Sequence, residues 1–161
     1  MKNGALTLLH VTLTRPGGHA YIILAVDYFT KWAEAMPTFA VGEKIVATFV
    51  FNHVIAQFSV PQAIITDHGS HFQTIMMTEL TDQLGLCHDS STPYYPQANG
   101  LVEAINKVLV TIIKWIIGIH KSNWHTMLFS ALWAFCTSTK TSTGFTPFQL
   151  VYSLEVVLPI E

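Results

Sequence analysis

An α/β fold, a mixed five-stranded sheet with helices on both faces, is the architecture this 161-residue chain predicts, and three observations carry the prediction. Short runs of aromatic and β-branched residues, bounded by Gly, Pro and polar turn residues, recur along the first ninety positions and read as strands. Between and after them, apolar residues return at intervals of three and four, the spacing of helices with one buried face. A hydrophobic fraction of 50% supplies enough apolar side chains for one sizeable core.

Taken in order, HAYIILAVDYF reads as a buried strand. A turn near Thr30 and Lys31 leads into a second strand, KWAEAMP, which Pro37 is expected to end. From Glu43 to Gln57 the residues Ile45, Val46, Phe49, Val50 and Val54 mark an amphipathic helix. Pro61 begins the next element, and Ala63, Ile64 and Ile65 form a short strand. Its carboxyl end delivers Asp67, at the edge where open α/β sheets place their chemistry. Gly69 permits the sharp turn that follows.

Residues 71–84 read as a helix carrying Phe72, Ile75, Met76, Leu80 and Leu84, followed by a short strand around Leu86 and a Pro- and Gly-containing loop from Ser90 to Gly100. The next helix runs roughly from Asn99 to Ile119. At ~100° per residue, Glu103, Lys107, Val110 and Lys114 fall within about 60° of one another, while Ile105, Leu109, Ile112 and Ile116 point elsewhere. Ser122 can cap a last long helix holding Trp124, Leu128, Ala131, Leu132 and Phe135. TGFTPF and VLPIE read as turns and an extended tail. With no internal repeat, low-complexity tract or linker, residues 1–161 are expected to form one domain.

Composition narrows the function classes. Cys87 and Cys136 lie far apart and form no CxxC, which excludes a zinc site built from cysteine pairs and argues for a reducing compartment. The longest apolar segment, residues 108–119, is interrupted by Lys114 and is too short to span a bilayer. No signal peptide is read at the N-terminus, so the expected location is nuclear or cytoplasmic, with no membrane partner. Eight Lys and Arg against ten Asp and Glu give a net charge of −2, which disfavours tight binding to a polyanion except through a local basic patch.

Two carboxylates stand out: Asp67 in IITDHGSHF, and Glu103 in STPYYPQANGLVEAINK, with 35 residues between them. Delivered from a strand end and a helix, they can share a metal ion. Taken singly, Asp67 could also be a turn former before Gly69, and Glu103 could pair with Lys107 one helical turn on. The words around them, together with GGHAYIILAVDYFTKWAEA and NWHTMLFSALWAFCTSTKTSTGFTPFQLVYSLEVVLPIE, resemble the catalytic core of retroviral and LTR-retrotransposon integrases, most closely the gypsy-like class. Nearly the whole chain takes part in the resemblance, in the family's order and spacing.

The resemblance implies a ribonuclease H-like fold and three carboxylates, Asp, Asp and Glu, that hold two Mg²⁺ or Mn²⁺ ions for polynucleotidyl transfer in DNA integration. Hard oxygen ligands suit those ions, and two metals suit in-line displacement at phosphorus. Asp67 matches the second carboxylate and Glu103 the third. The first belongs on the opening strand, where GALTLLHVTL has no acid. Asp27 matches a different family segment, and a structural role at a strand end is expected for it ahead of substitution, by it or by His10, as a metal ligand. The family also implies DNA, as retrotransposon ends and target, as a partner. Lys107 and Lys114 on the helix and Tyr94, Tyr95, Gln97 and Asn99 in the loop are the candidate contacts.

Other departures from the family are Cys136 at a position often basic, and Ser59 and Ser153 where Gly is usual. The family's separate zinc-binding and C-terminal DNA-binding domains are expected to be absent, and the domain is expected to be incomplete at its N-terminal edge. The tryptophans are expected in the core or at a homodimer interface. The expected reading is therefore an integrase core with weakened or lost metal binding. Its alternative is a non-catalytic nucleic-acid-binding or dimerisation module of the same fold.

Overall fold

A computed structural model describes residues 5–12 as backbone, and residues 18–66, 74–90, 107–115, 118 and 124–157. Among them, β1 (Ala5–Thr12), β2 (Tyr21–Asp27), β3 (Ala33–Thr38), β4 (Ala63–Thr66) and β5 (Cys87–Ser90) form one sheet in the order β3-β2-β1-β4-β5. The first three strands are a meander, with β1 antiparallel to β2 and β2 antiparallel to β3. β4 then joins β1 in parallel, and β5 joins β4 in parallel, each after a helical crossover. The helices are α1 (Glu43–Phe49), a π-helical continuation over Val50–Ile55, α2 (Ala56–Phe58), α3 (Ile75–Leu84), α4 (107–115), α5 (Trp124–Thr137) and α6 (Pro147–Tyr152).

Alternation along β2 divides the core into two layers. Ile22, Leu24 and Val26 point to one face, where Leu109 and Ile113 of α4 and Trp124, Leu128, Leu132 and Phe135 of α5 cover them. Ile23 and Ala25 point to the other face, with Ile64 of β4, and meet Val46, Phe49, Val50, Val54 and Met77. A strand buried on both faces reads as the near-continuous apolar run seen in YIILAV. Each large aliphatic side chain so buried contributes about 1.5–3 kcal/mol.

Three local readings need correction. Pro37 does not end the third strand but lies inside it, paired with Ile22. The Asp27 N–H donates to the Trp32 carbonyl at 2.9 Å, and because antiparallel bonding alternates, the Pro37 nitrogen faces away from β2 on a strand at the sheet edge. In α3 the buried side chains are Met77 and Thr81, while Ile75 is 77% exposed. Thr81 tolerates burial because its hydroxyl lies 2.9 Å from both the Met77 and the Thr78 carbonyls. The segment after the long helix is not all turn and tail: Pro147–Tyr152 is helical. Thr146 caps it by accepting from the Gln149 N–H at 3.0 Å, and the Gln149 side chain accepts in return from the Thr146 N–H at 3.0 Å. Ser122, the expected cap of α5, lies outside the described residues.

Both cysteines are free, Cys87 exposed and Cys136 buried. Burial pushes the Cys136 thiol up to about 11, against a weak opposing contact to the Ala33 carbonyl. The folded state therefore holds that proton more tightly than the unfolded chain does. Its contribution to stability is present below the ordinary thiol range and is lost as pH rises from about 9 to 11. At pH 8, iodoacetamide should label one thiol quickly in the native protein and two in urea; rapid native labelling of both would contradict this burial.

Candidate active site

The carboxyl end of β4 is the point on which the sequence reading converges. β4 lies between two parallel neighbours, with Leu6, Thr7 and Leu8 of β1 in register with Ile64, Ile65 and Thr66, and with His88, Asp89 and Ser90 of β5 on the other side. Thr66, the last strand residue, is fully buried, and its hydroxyl meets the His88 Nε2 at 3.2 Å. Sequence reasoning gave neither residue a role. Their contact depends on the parallel β4–β5 pairing between segments 22 residues apart, which no local pattern announces.

Asp67 follows Thr66 directly in the chain but lies outside the described residues, as do Glu103, Tyr94, Tyr95, Gln97 and Asn99. Lys107 and Lys114 are described: both are exposed on α4, on the side away from the buried Leu109 and Ile113. Seven positions apart, they project within about 20° of one another, with exposed Thr111 between them. They form a short basic stripe. Among the described residues no three His, Cys, Asp or Glu side chains cluster closely enough to hold a metal ion.

Asp27 takes the structural role. It is 2% exposed, and its Oδ2 accepts from the Thr30 N–H at 2.9 Å and from the Thr30 hydroxyl at 2.6 Å, tying down the β2–β3 turn. The turn needs a tie because Lys31 adopts a left-handed backbone, φ 64°, without being glycine. Burial lowers the pKa of the Lys31 ammonium, with the Asp27 charge opposing the shift. Asp27→Ala should cost about 2–3 kcal/mol by leaving the buried Thr30 N–H without its acceptor, and Asp27→Asn, which keeps an acceptor oxygen, should cost less. Urea midpoints of the two variants test this; equal losses would remove the hydrogen-bonding explanation.

The geometry so far defines an α/β domain whose candidate chemistry sits at the end of a central parallel strand. The family described as "Integrase core domain" matches residues 6–96, more than half of the sequence, and the chain belongs to that family. The matched segment includes Asp67 and stops short of Glu103. Among individual relatives, the Pol polyprotein of Radiation murine leukemia virus (strain Kaplan) is 30% identical over 144 residues, covering 88% of this chain and 25% of its own length. The Gag-Pol polyprotein of Avian reticuloendotheliosis virus is 29% identical over 144 residues, covering 89% of this chain and 12% of its own length. The chain thus spans a quarter or less of these polyproteins.

Solved structures agree on the fold. The crystal structure of the catalytic core domain of BIV integrase superposes with a TM-score of 0.75 at 19% identity, over 92% of this chain and 93% of that one. The HTLV-2 integrase catalytic core domain, described in complex with magnesium and in a trimeric form, gives 0.75 at 17% identity, over 94% and 98%. A chain of the simian T-cell lymphotropic virus intasome gives 0.79 at 21% identity, over all of this chain and 58% of that one. The ribonuclease H-like α/β fold is common to them. Among the described residues no helix is long and apolar enough to cross a membrane.

Proposed function

We propose that this chain is the integrase core of a gypsy-like retrotransposon whose DNA-integration chemistry is impaired at one position, the first metal-binding carboxylate. The observation that supports this is the β1–β4 register: β1 runs beside the strand that leads to Asp67, and Leu6, Thr7 and Leu8 stand where a neighbouring acid would be needed. Asp67 and Glu103 remain as the catalytic and metal-binding pair. Their oxygen donors fit one Mg²⁺ or Mn²⁺ ion. Holding two such ions within about 4 Å needs an anionic bridge that β1 does not supply. Bound metal would supply activation of the attacking hydroxyl and stabilisation of the leaving oxygen.

DNA, as element ends and target, is the proposed partner. Lys107 and Lys114 would meet phosphates, and Tyr94, Tyr95, Gln97 and Asn99 would complete the contact. With so few cations, binding should be weak and its salt dependence shallow, because the slope follows the number of phosphates neutralised. Exposed Phe129 and Trp133, one turn apart on α5, support self-association as a homodimer.

An oligonucleotide assay with Mn²⁺ tests the proposal. The unmodified chain should give no strand-transfer product, whereas a variant with Asp placed singly at Leu6, Thr7 or Leu8 should give some reverse reaction on a preformed branched substrate. That product should vanish with Asp67→Asn or Glu103→Gln. Strand transfer by the unmodified chain, abolished by those same two substitutions, would overturn the impaired reading. Salt-dependent DNA binding without activity in any repaired variant would favour the non-catalytic module instead.

A further inference from the structure

β1 and β4 finish, and β2 starts, at one end of the sheet, and the carboxyl end of β3 lies there too. Three rings stand in a column at that end. The Phe39 ring, one residue past β3, stacks on the His19 imidazole with centroids 4.0 Å apart and planes 26° from parallel. His19 in turn meets His125, in the first turn of α5, at 4.6 Å and 38°. The foot of the column is in the core: both imidazoles lie edge-on to the buried Trp124, each with centroids 6.2 Å from it.

Phe39 is 68% exposed, and His19 is its one ring partner among the described residues, so the outer face of the phenyl ring is open to water. The ring is nonetheless held in place. The Thr38 hydroxyl donates to the Ala40 carbonyl at 2.7 Å, closing the backbone around Phe39. The Ala20 N–H donates to the Thr38 carbonyl at 3.1 Å, tying the segment that bears Phe39 to the one that bears His19. Burial lowers the His19 pKa and the His125 charge lowers it further, so the middle ring of the column is an uncharged aromatic at neutral pH. Thr38 and Ala40, on either side of Phe39, are small, and Thr38 is buried. The open face is therefore one ring wide, less than the apolar patch a protein partner covers.

We propose that the open face of Phe39 is a stacking platform for one unpaired base of single-stranded DNA, an inference that rests on the DNA partner proposed above. Every base has a π face, so a preset aromatic ring takes bases without reading their sequence. The platform stands at the same end of the sheet as the strand that leads to Asp67, with β2 and β1 between β3 and β4. A single strand engaged at both places would cross that end of the sheet.

Fluorescence anisotropy of the intact chain at low salt, with an oligothymidylate, an abasic strand of equal length and a blunt duplex, tests the platform. Phe39→Ala should weaken the oligothymidylate by about 5- to 100-fold and leave the duplex unchanged. Phe39→Leu, apolar but without a π face, should behave like Phe39→Ala, and Phe39→Trp should bind at least as tightly as wild type. The abasic strand should bind wild type and Phe39→Ala alike. Because Phe39 is exposed, all three variants should melt with the wild type. Unchanged oligothymidylate affinity in Phe39→Ala, equal wild-type affinity for the oligothymidylate and the abasic strand, or no single-strand binding would overturn the platform. So would self-association lost in Phe39→Ala at unchanged oligothymidylate affinity, which would assign the face to a second copy of the chain. The duplex reports separately on the DNA partner, since its binding should weaken with Lys107→Gln and Lys114→Gln and does not involve Phe39.

Discussion

Phe49→Ala is expected to destabilise the domain by about 3–5 kcal/mol, the usual range for deleting a fully buried phenyl ring. Phe49 has no exposed surface and sits in the layer that packs Ile23, Ala25 and Ile64 against the first helical segment. A domain of this size has ~5–15 kcal/mol in all, so the variant should lose roughly 6–20 °C of melting temperature. Phe51→Ala is the control. Two residues on, with half its surface in water, that change should stay within about 0.5 kcal/mol. Similar melting curves for the two variants would mean that this face of the sheet is not packed as described. Because Ile64 belongs to β4, loss of the Phe49 ring also loosens the strand that carries the candidate chemistry.

Ser59→Gly should act in the opposite direction and raise stability by about 1–3 kcal/mol. Ser59 leaves α2 with φ 76° and ψ 175°, a combination that a side chain makes costly and glycine adopts freely. Its buried hydroxyl has no hydrogen-bond partner among the described residues, a second cost of about 1–3 kcal/mol. The added freedom of glycine in the unfolded chain offsets part of the gain, about 0.5–1 kcal/mol. Ser59→Ala separates the two contributions, since it removes the hydroxyl and keeps the strained backbone. Urea midpoints should rise in the order wild type, Ala, Gly at constant slope. A midpoint for Ser59→Gly no higher than wild type would refute the strain argument. Ser153, at φ 56° and ψ 30° after α6, is a milder case of the same departure, because it lies in the left-handed helical region.

These two serines show what the sequence could tell. A family position usually held by glycine, occupied here by serine, pointed to trouble before any backbone angle was known; the angles say what the trouble is. The strands at Tyr21–Asp27 and Ala63–Thr66 and the buried face of α5 were equally legible, since their apolar periodicity is unbroken. The buried face of α3 was not, because Ile75, Met76 and Met77 are consecutive and fit more than one helical face. The short α6 was passed over although its Thr-Pro-Phe-Gln opening, a capping box with proline in the first turn, was in plain view. For the candidate site, the strand leading to Asp67 and the exposure of Lys107 and Lys114 followed from local pattern. The register of β1 against β4 did not, since it pairs segments more than fifty residues apart.

The proline inside β3 bears on how copies of this chain meet. An edge strand presents a row of unpaired backbone groups on which another chain can extend the sheet, the first step of cross-β aggregation. At Pro37 the outward-facing donor is missing, so an arriving strand finds an acceptor-only gap near the carboxyl end of β3. Among the described residues the opposite edge is β5, with four residues. Any self-association of this domain is thereby steered towards its helical faces, and growth into a continuous intermolecular sheet is resisted at both ends.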